Sequence, residues 1–99
     1  MKLELAMETA AAKKIIEDLL RDLIKPAVLV GVVVNEDSDT DGDQILNVRA
    51  VYDVSKPSPK AEKMLSASVL LRMNLRDAGE QRFPLLAFIS SDDAKEVAA

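Results

Sequence analysis

The chain has no cysteine, no histidine and no tryptophan among its 99 residues. Without cysteine there are no disulfides, thiolate nucleophiles or cysteine-based metal sites. Without histidine the chain lacks the commonest general base, the commonest zinc ligand, and the only side chain that titrates unperturbed between pH 5 and 8. Ser–His, Cys–His and zinc schemes are therefore excluded. Aromatic residues number three, Tyr52, Phe83 and Phe88. Val, Leu, Ile and Ala must build the core, and such a core rarely forms a deep aromatic-lined pocket. The three glycines, Gly31, Gly42 and Gly79, are isolated, so no glycine-rich phosphate loop exists. No apolar run approaches the ~20 residues of a membrane span. Met1-Lys2-Leu3-Glu4-Leu5 lacks an uncharged signal core. The expectation is a cytoplasmic protein with no membrane segment. Acidic residues outnumber basic ones, 17 to 13, so no nucleic-acid partner is expected, because affinity for phosphates rests on Lys and Arg.

What is present is ample apolar material, 48% of the chain. Ninety-nine residues fit one small domain, 1–99, with residues 1–8 and 91–99 expected as partly flexible ends. Folding a chain of this size buries roughly 60–70% of its unfolded surface, enough for one core.

The spacing of Ala12, Ile15, Ile16, Leu19, Leu20, Leu23 and Ile24 predicts a helix from Thr9 to Lys25. Lys13, Lys14, Glu17, Asp18, Arg21 and Asp22 cover its other face, with Glu17–Arg21 and Lys14–Asp18 as i,i+4 pairs. Thr9 is the expected cap, and Pro26 stops the helix. Residues 1–8 fit a strand or a helical extension equally. The run Ala27–Val34 is apolar throughout and reads as a strand covered on both faces. Gln44–Val54 alternates, with Leu46, Val48, Ala50, Tyr52 and Val54 on one face, as in a half-buried strand. A second helix is expected from Pro59 to about Ala78, capped by Ser58 and terminated by Gly79. Its core stripe is Ala61, Met64, Ala67, Leu71, Leu75 and Ala78; Val69, Leu70 and Met73 fall outside it. Arg82–Ile89 is a third strand, and Ser90-Ser91-Asp92-Asp93 opens a short last helix.

The element order α-β-β-α-β-(α) gives an α+β fold with a three-stranded mixed sheet. The first two strands pair antiparallel, and the second helix makes a right-handed crossover to a parallel third strand. Placing the most apolar strand in the centre gives strand order 2-1-3, with two helices on one face. The opposite face then carries part of the Ala27–Val34 run, including Leu29 and Val33. A monomer seldom leaves a large apolar patch exposed. Leu29, Val33, Val69, Leu70 and Met73 are therefore the candidate interface residues for a homodimer or a protein partner.

The stretch Asn35–Asp43 carries five carboxylates and no base. It is expected as a nine-residue loop joining two strands. Asp37, Asp39, Asp41, Gly42 and Asp43 match positions 1, 3, 5, 6 and 7 of a calcium loop, but the twelfth position, a bidentate Glu in that motif, is Val48. Asp37, Asp39, Asp41 and Asp43 are thus candidate ligands for Ca²⁺ or Mg²⁺, against an alternative reading as a solvated turn that blunts edge aggregation. No catalytic residues are assigned, since no nucleophile–base pair is present. Lys56, Lys60, Lys63, Arg72, Arg76 and Arg82 could form a basic strip, yet no aromatic platform accompanies them and a solvated helix edge is the favoured reading.

The segments Asp39–Val48 and Arg82–Ser90 resemble those of small uncharacterised bacterial α+β proteins, over about residues 10 to 92. Some of those are encoded beside small helical proteins of the HEPN class, so the resemblance implies one half of a toxin–antitoxin-like pair and carries no catalytic signature. The expectation is a non-catalytic protein that acts through a homodimer or partner interface, the alternative being a divalent-cation module built on loop 35–43.

Overall fold

In the computed structural model, which describes residues 8–98, the first helix α1 spans Thr9–Leu23. The alternating pattern of residues 1–8 lies outside the described residues except for Glu8, which sits at the N-cap. No side chain caps this end, because Thr9 is already helical. Ala12, Ile16 and Leu20 recur every four residues on one face and are fully buried, with Ile24 just beyond. Each fully buried aliphatic of this size contributes about 1.5–3 kcal/mol. The outer face carries Lys14–Asp18 and Arg21–Glu17 ion pairs at 3.3 and 3.6 Å.

Strands β1 (Leu29–Ser38), β2 (Gln44–Tyr52) and β3 (Phe83–Ser90) form one mixed sheet. β1 and β2 are antiparallel, and β2 and β3 are parallel. The fold class and element order agree with the sequence, but the strand order is β1-β2-β3, not 2-1-3. β2 is central and β1 is an edge. The crossover from β2 seats β3 directly beside its own predecessor. Composition misleads here because the apolarity of β1 does not reflect cover on both faces. Leu29, Val32 and Val34 pack into the core, while Val28, Val30 and Val33 remain exposed. It is β2 whose inner residues Leu46, Val48 and Ala50 are wholly enclosed.

After an extended segment in which Pro59 is buried, α2 runs Ala61–Asp77. Lys60, still extended, is the N-cap, so the helix starts two residues later than Ser58 and Pro59 predict. Its end follows the expectation. Gly79 has φ +102°, its N–H donates to Arg76 O at 3.0 Å, and the Glu80 N–H donates to Leu75 O at 2.8 Å. This pair of bonds closes the last turn and requires a left-handed residue. Ala67, Leu71 and Leu75 face inward and join α1, β1 and β2 in one core, against which Leu86 and Phe88 of β3 pack. Both helices thus cover one face of the sheet. The last helix α3 (Ser91–Ala98) follows β3 directly; Ser90 Oγ accepts from the Asp93 N–H and Ser91 Oγ from the Val54 N–H, both at 3.1 Å. Among the described residues, no helix is long and apolar enough to cross a membrane.

Candidate interaction surface

A helix of 17 residues seated on a sheet buries one face and offers the other to water. In α2 the outward face carries apolar side chains among its polar ones. Leu65, Val69 and Met73 are spaced four apart, so they form one stripe along the helix, and they are 76%, 60% and 56% exposed. Glu62 and Arg76, both exposed, sit at its two ends. Beside the stripe, the Arg72 guanidinium lies over the ring of Phe83, 4.8 Å from its centroid. That cation–π contact ties the helix to the outer strand of the sheet and keeps half-exposed Phe83 partly covered.

A second apolar surface lies on the face of the sheet away from α1 and α2. The β1–β2–β3 register sets Val33, Arg49 and Ala87 in one row, with Gly31, Val51 and Ile89 in the next. Val33 and Leu85 are about half exposed, and Arg49 stands among them. Among the described residues nothing pairs with the outer edges of β1 or β3.

The predicted interface residues therefore do not form one patch. Val33 belongs to the open sheet face, whereas Val69 and Met73 belong to α2 on the other side of the sheet. Leu70 is half-buried at the flank of α2. Leu29 is a correction: it is 7% exposed and sits in the core. The cause is a β-bulge. Leu29 pairs with Tyr52 and Gly31 with Val51, which leaves Val30 as an extra residue. The extra residue inverts the alternation, so Leu29 turns inward and Val30 outward. Leu65, the most exposed apolar side chain of the stripe, was missed by sequence reasoning. The available signal was its position on the wheel, opposite Ala67, Leu71 and Leu75.

The acidic stretch is mostly strand. The ladder continues to Ser38 opposite Gln44, leaving a five-residue turn, Asp39–Asp43, in place of the expected loop 35–43. Asp39 Oδ1 accepts from the Asp41 and Asp43 N–H groups, both at 2.9 Å, while the Asp39 N–H donates to Asp43 O. Gly42 supplies the positive φ, +88°. Asp37 accepts from the Ser38 N–H and from Asn47 Nδ2, each at 2.8 Å. Asp41 and Asp43 are exposed. Among the described residues, no group of three or more acidic side chains is placed to hold a metal ion. Asp39 closes the turn, and Asp37 ties β1 to β2 through Asn47.

The basic residues do not form a strip either. Arg82 is buried and binds Glu80 through two nitrogens, Nε at 3.0 Å and Nη2 at 2.8 Å, and Glu36 of β1 through Nη1 at 3.0 Å. The hydrogen bonds that Arg82 donates to the Glu80 carboxylate raise the Arg82 pKa above its ordinary value, against the opposing effect of burial. Lys63 Nζ donates to Lys25 O at 2.8 Å, linking α2 to the end of α1. Asp53 is held below the usual carboxylate range by hydrogen bonds from the Ser55 hydroxyl and N–H. Shallow hollows lie on the surface of the described residues. One, about 200 Å³, lies by Arg82 and the hairpin; another, about 430 Å³, runs between Ile15, Leu19 and Leu23 of α1 and Asn74 of α2.

No protein-family model, no curated protein and no solved structure matches this chain.

Proposed function

We propose that the protein works by binding protein, as a homodimer or with a separate partner, and not by catalysis. One observation carries this reading: the outward stripe Leu65, Val69 and Met73, each more than half exposed on a well-formed helix. Exposed apolar groups that line up along one element are what association buries, whereas single scattered ones need no explanation. The open sheet face with Val33 and Leu85 adds to the surface on offer. The reading fits a small regulatory or antitoxin-like protein. The resemblance in its sequence supplies one class of partner to try first, a small helical protein of the HEPN class.

The test is a comparison of wild type with the double variant Leu65→Lys/Val69→Lys. Both positions are exposed, so the fold should survive. Wild type is expected to run above its 10.8 kDa monomer mass, or to retain a defined partner, and the variant to lose that species. A wild type that stays monomeric to millimolar concentration, and retains nothing that the variant releases, would sink the reading.

A further inference from the structure

The outward face of α2 has a symmetry in its sequence. Counted from Val69, Leu65 and Met73 lie four residues before and after, and Glu62 and Arg76 lie seven before and after. All five are exposed and helical. At 3.6 residues per turn these offsets keep the five side chains within one narrow stripe. The stripe is thus apolar at its middle, with opposite charges at its ends.

We infer that α2 is the two-fold interface of a homodimer, in which α2 of one copy packs antiparallel on α2 of a second copy with Val69 at the dyad. This rests on the interaction reading above and names its partner. A two-fold interface must be self-complementary, because the same patch serves both sides. An antiparallel pairing centred on Val69 brings Val69 to Val69, Leu65 to Met73 in both halves, and Glu62 to Arg76 in both halves. Ser66 meets Arg72 and Ala61 meets Asp77, so no like charges oppose each other. A parallel pairing would set Glu62 against Glu62 and Arg76 against Arg76, which disfavours it. The open sheet face is a poorer choice for self-pairing. A two-fold axis at its centre opposes Arg49 to itself amid valines, where an unpaired charge is costly. The five side chains of the stripe are far fewer than the roughly 20–30 residues a side of a standard interface, so the dimer is weak and depends on concentration.

Sedimentation equilibrium across the micromolar to millimolar range tests this. Wild type is expected to dimerise reversibly, and Val69→Glu, which puts two carboxylates on the dyad, to raise Kd by at least about tenfold. Glu62→Arg alone and Arg76→Glu alone each set like charges together in their own homodimers and should weaken them. Mixed in equal amounts, the two variants should form a heterodimer, visible by native mass spectrometry, because one carries only positive charge at those two positions and the other only negative. Circular dichroism melting checks that each variant is folded. A wild type that never dimerises, a dimer indifferent to Val69→Glu, or failure of the mixture to pair overturns the α2 interface. If Val33→Glu dissociates the dimer and Val69→Glu does not, the α2 pairing fails while the interaction reading survives on the sheet face. If wild type neither self-associates nor holds a partner sensitive to either substitution, both fail.

Discussion

The two long helices lie side by side on one face of one sheet, and they differ in what they turn outward. Their inner faces are alike. Ala12, Ile16 and Leu20 of α1 and Ala67, Leu71 and Leu75 of α2 are all fully buried at four-residue spacing. The outer face of α1 is charged, with ion pairs running along it. The outer face of α2 holds Leu65, Val69 and Met73. The inner faces answer the demands of folding. The outer faces separate a helix covered by charge from one that exposes an apolar stripe.

The largest expected effect tests the likeness. Leu20→Ala and Leu71→Ala each delete a fully buried side chain from the same core. Each should lower unfolding free energy by about 2–5 kcal/mol in urea denaturation. A loss well under ~1 kcal/mol for Leu71→Ala would mean that α2 is not docked as firmly as α1, since cavity costs that small imply a loosely packed site.

The helix ends differ next. The two C-caps, Ile24 and Ala78, share φ −85°, but the next residue after α2 is Gly79 at φ +102°, whereas Lys25, in the same place after α1, has no positive φ. Nothing lies within 4 Å of a Cβ built on Gly79, so Gly79→Ala meets no clash and costs backbone strain alone. About 1–2 kcal/mol is expected, because left-handed geometry is that unfavourable for an L-residue. Lys25→Ala, beyond the end of α1 on an exposed residue, should stay within about 0.5 kcal/mol. Equal losses from the two substitutions would contradict the different closures.

Local chemistry made much of this legible in the sequence. α1, its stop at Pro26, the Gly79 terminator and the alternation of β2 each depend on neighbours within a few residues. Strand order depends on which distant segments pair, and a bulge at Val30 hides the true phase of β1. That single extra residue put Leu29 on the wrong face. Leu65 escaped notice because apolar residues surround α2, and the alanines of its inner stripe blur the contrast between faces. The acidic stretch looked like a loop because its composition favours turns, yet Asn35–Ser38 pair with Asn47–Gln44. Its function in the fold can be measured. Asp39→Ala removes the acceptor for two backbone N–H groups at the turn. It should cost about 0.5–1.5 kcal/mol, the net worth of such bonds at an exposed site.

The smallest effect on the monomer separates the helices most sharply. Lys14→Ala on α1 removes one exposed i,i+4 pair and should cost about 0.2–0.5 kcal/mol, less in high salt, with no change in mass. Val69→Ser on α2 removes no core contact, so unfolding of dilute protein should move by no more than about 0.5 kcal/mol. At high concentration the two variants should part. Association adds apparent stability in proportion to the logarithm of protein concentration over Kd, so wild type and Lys14→Ala should melt higher as concentration rises. Val69→Ser should not. Melting curves at two concentrations, for three proteins, therefore ask whether the outer face of α2 serves folding or binding. A concentration dependence that Val69→Ser retains would move the binding surface off this helix, and the open sheet face around Val33 would be next in line.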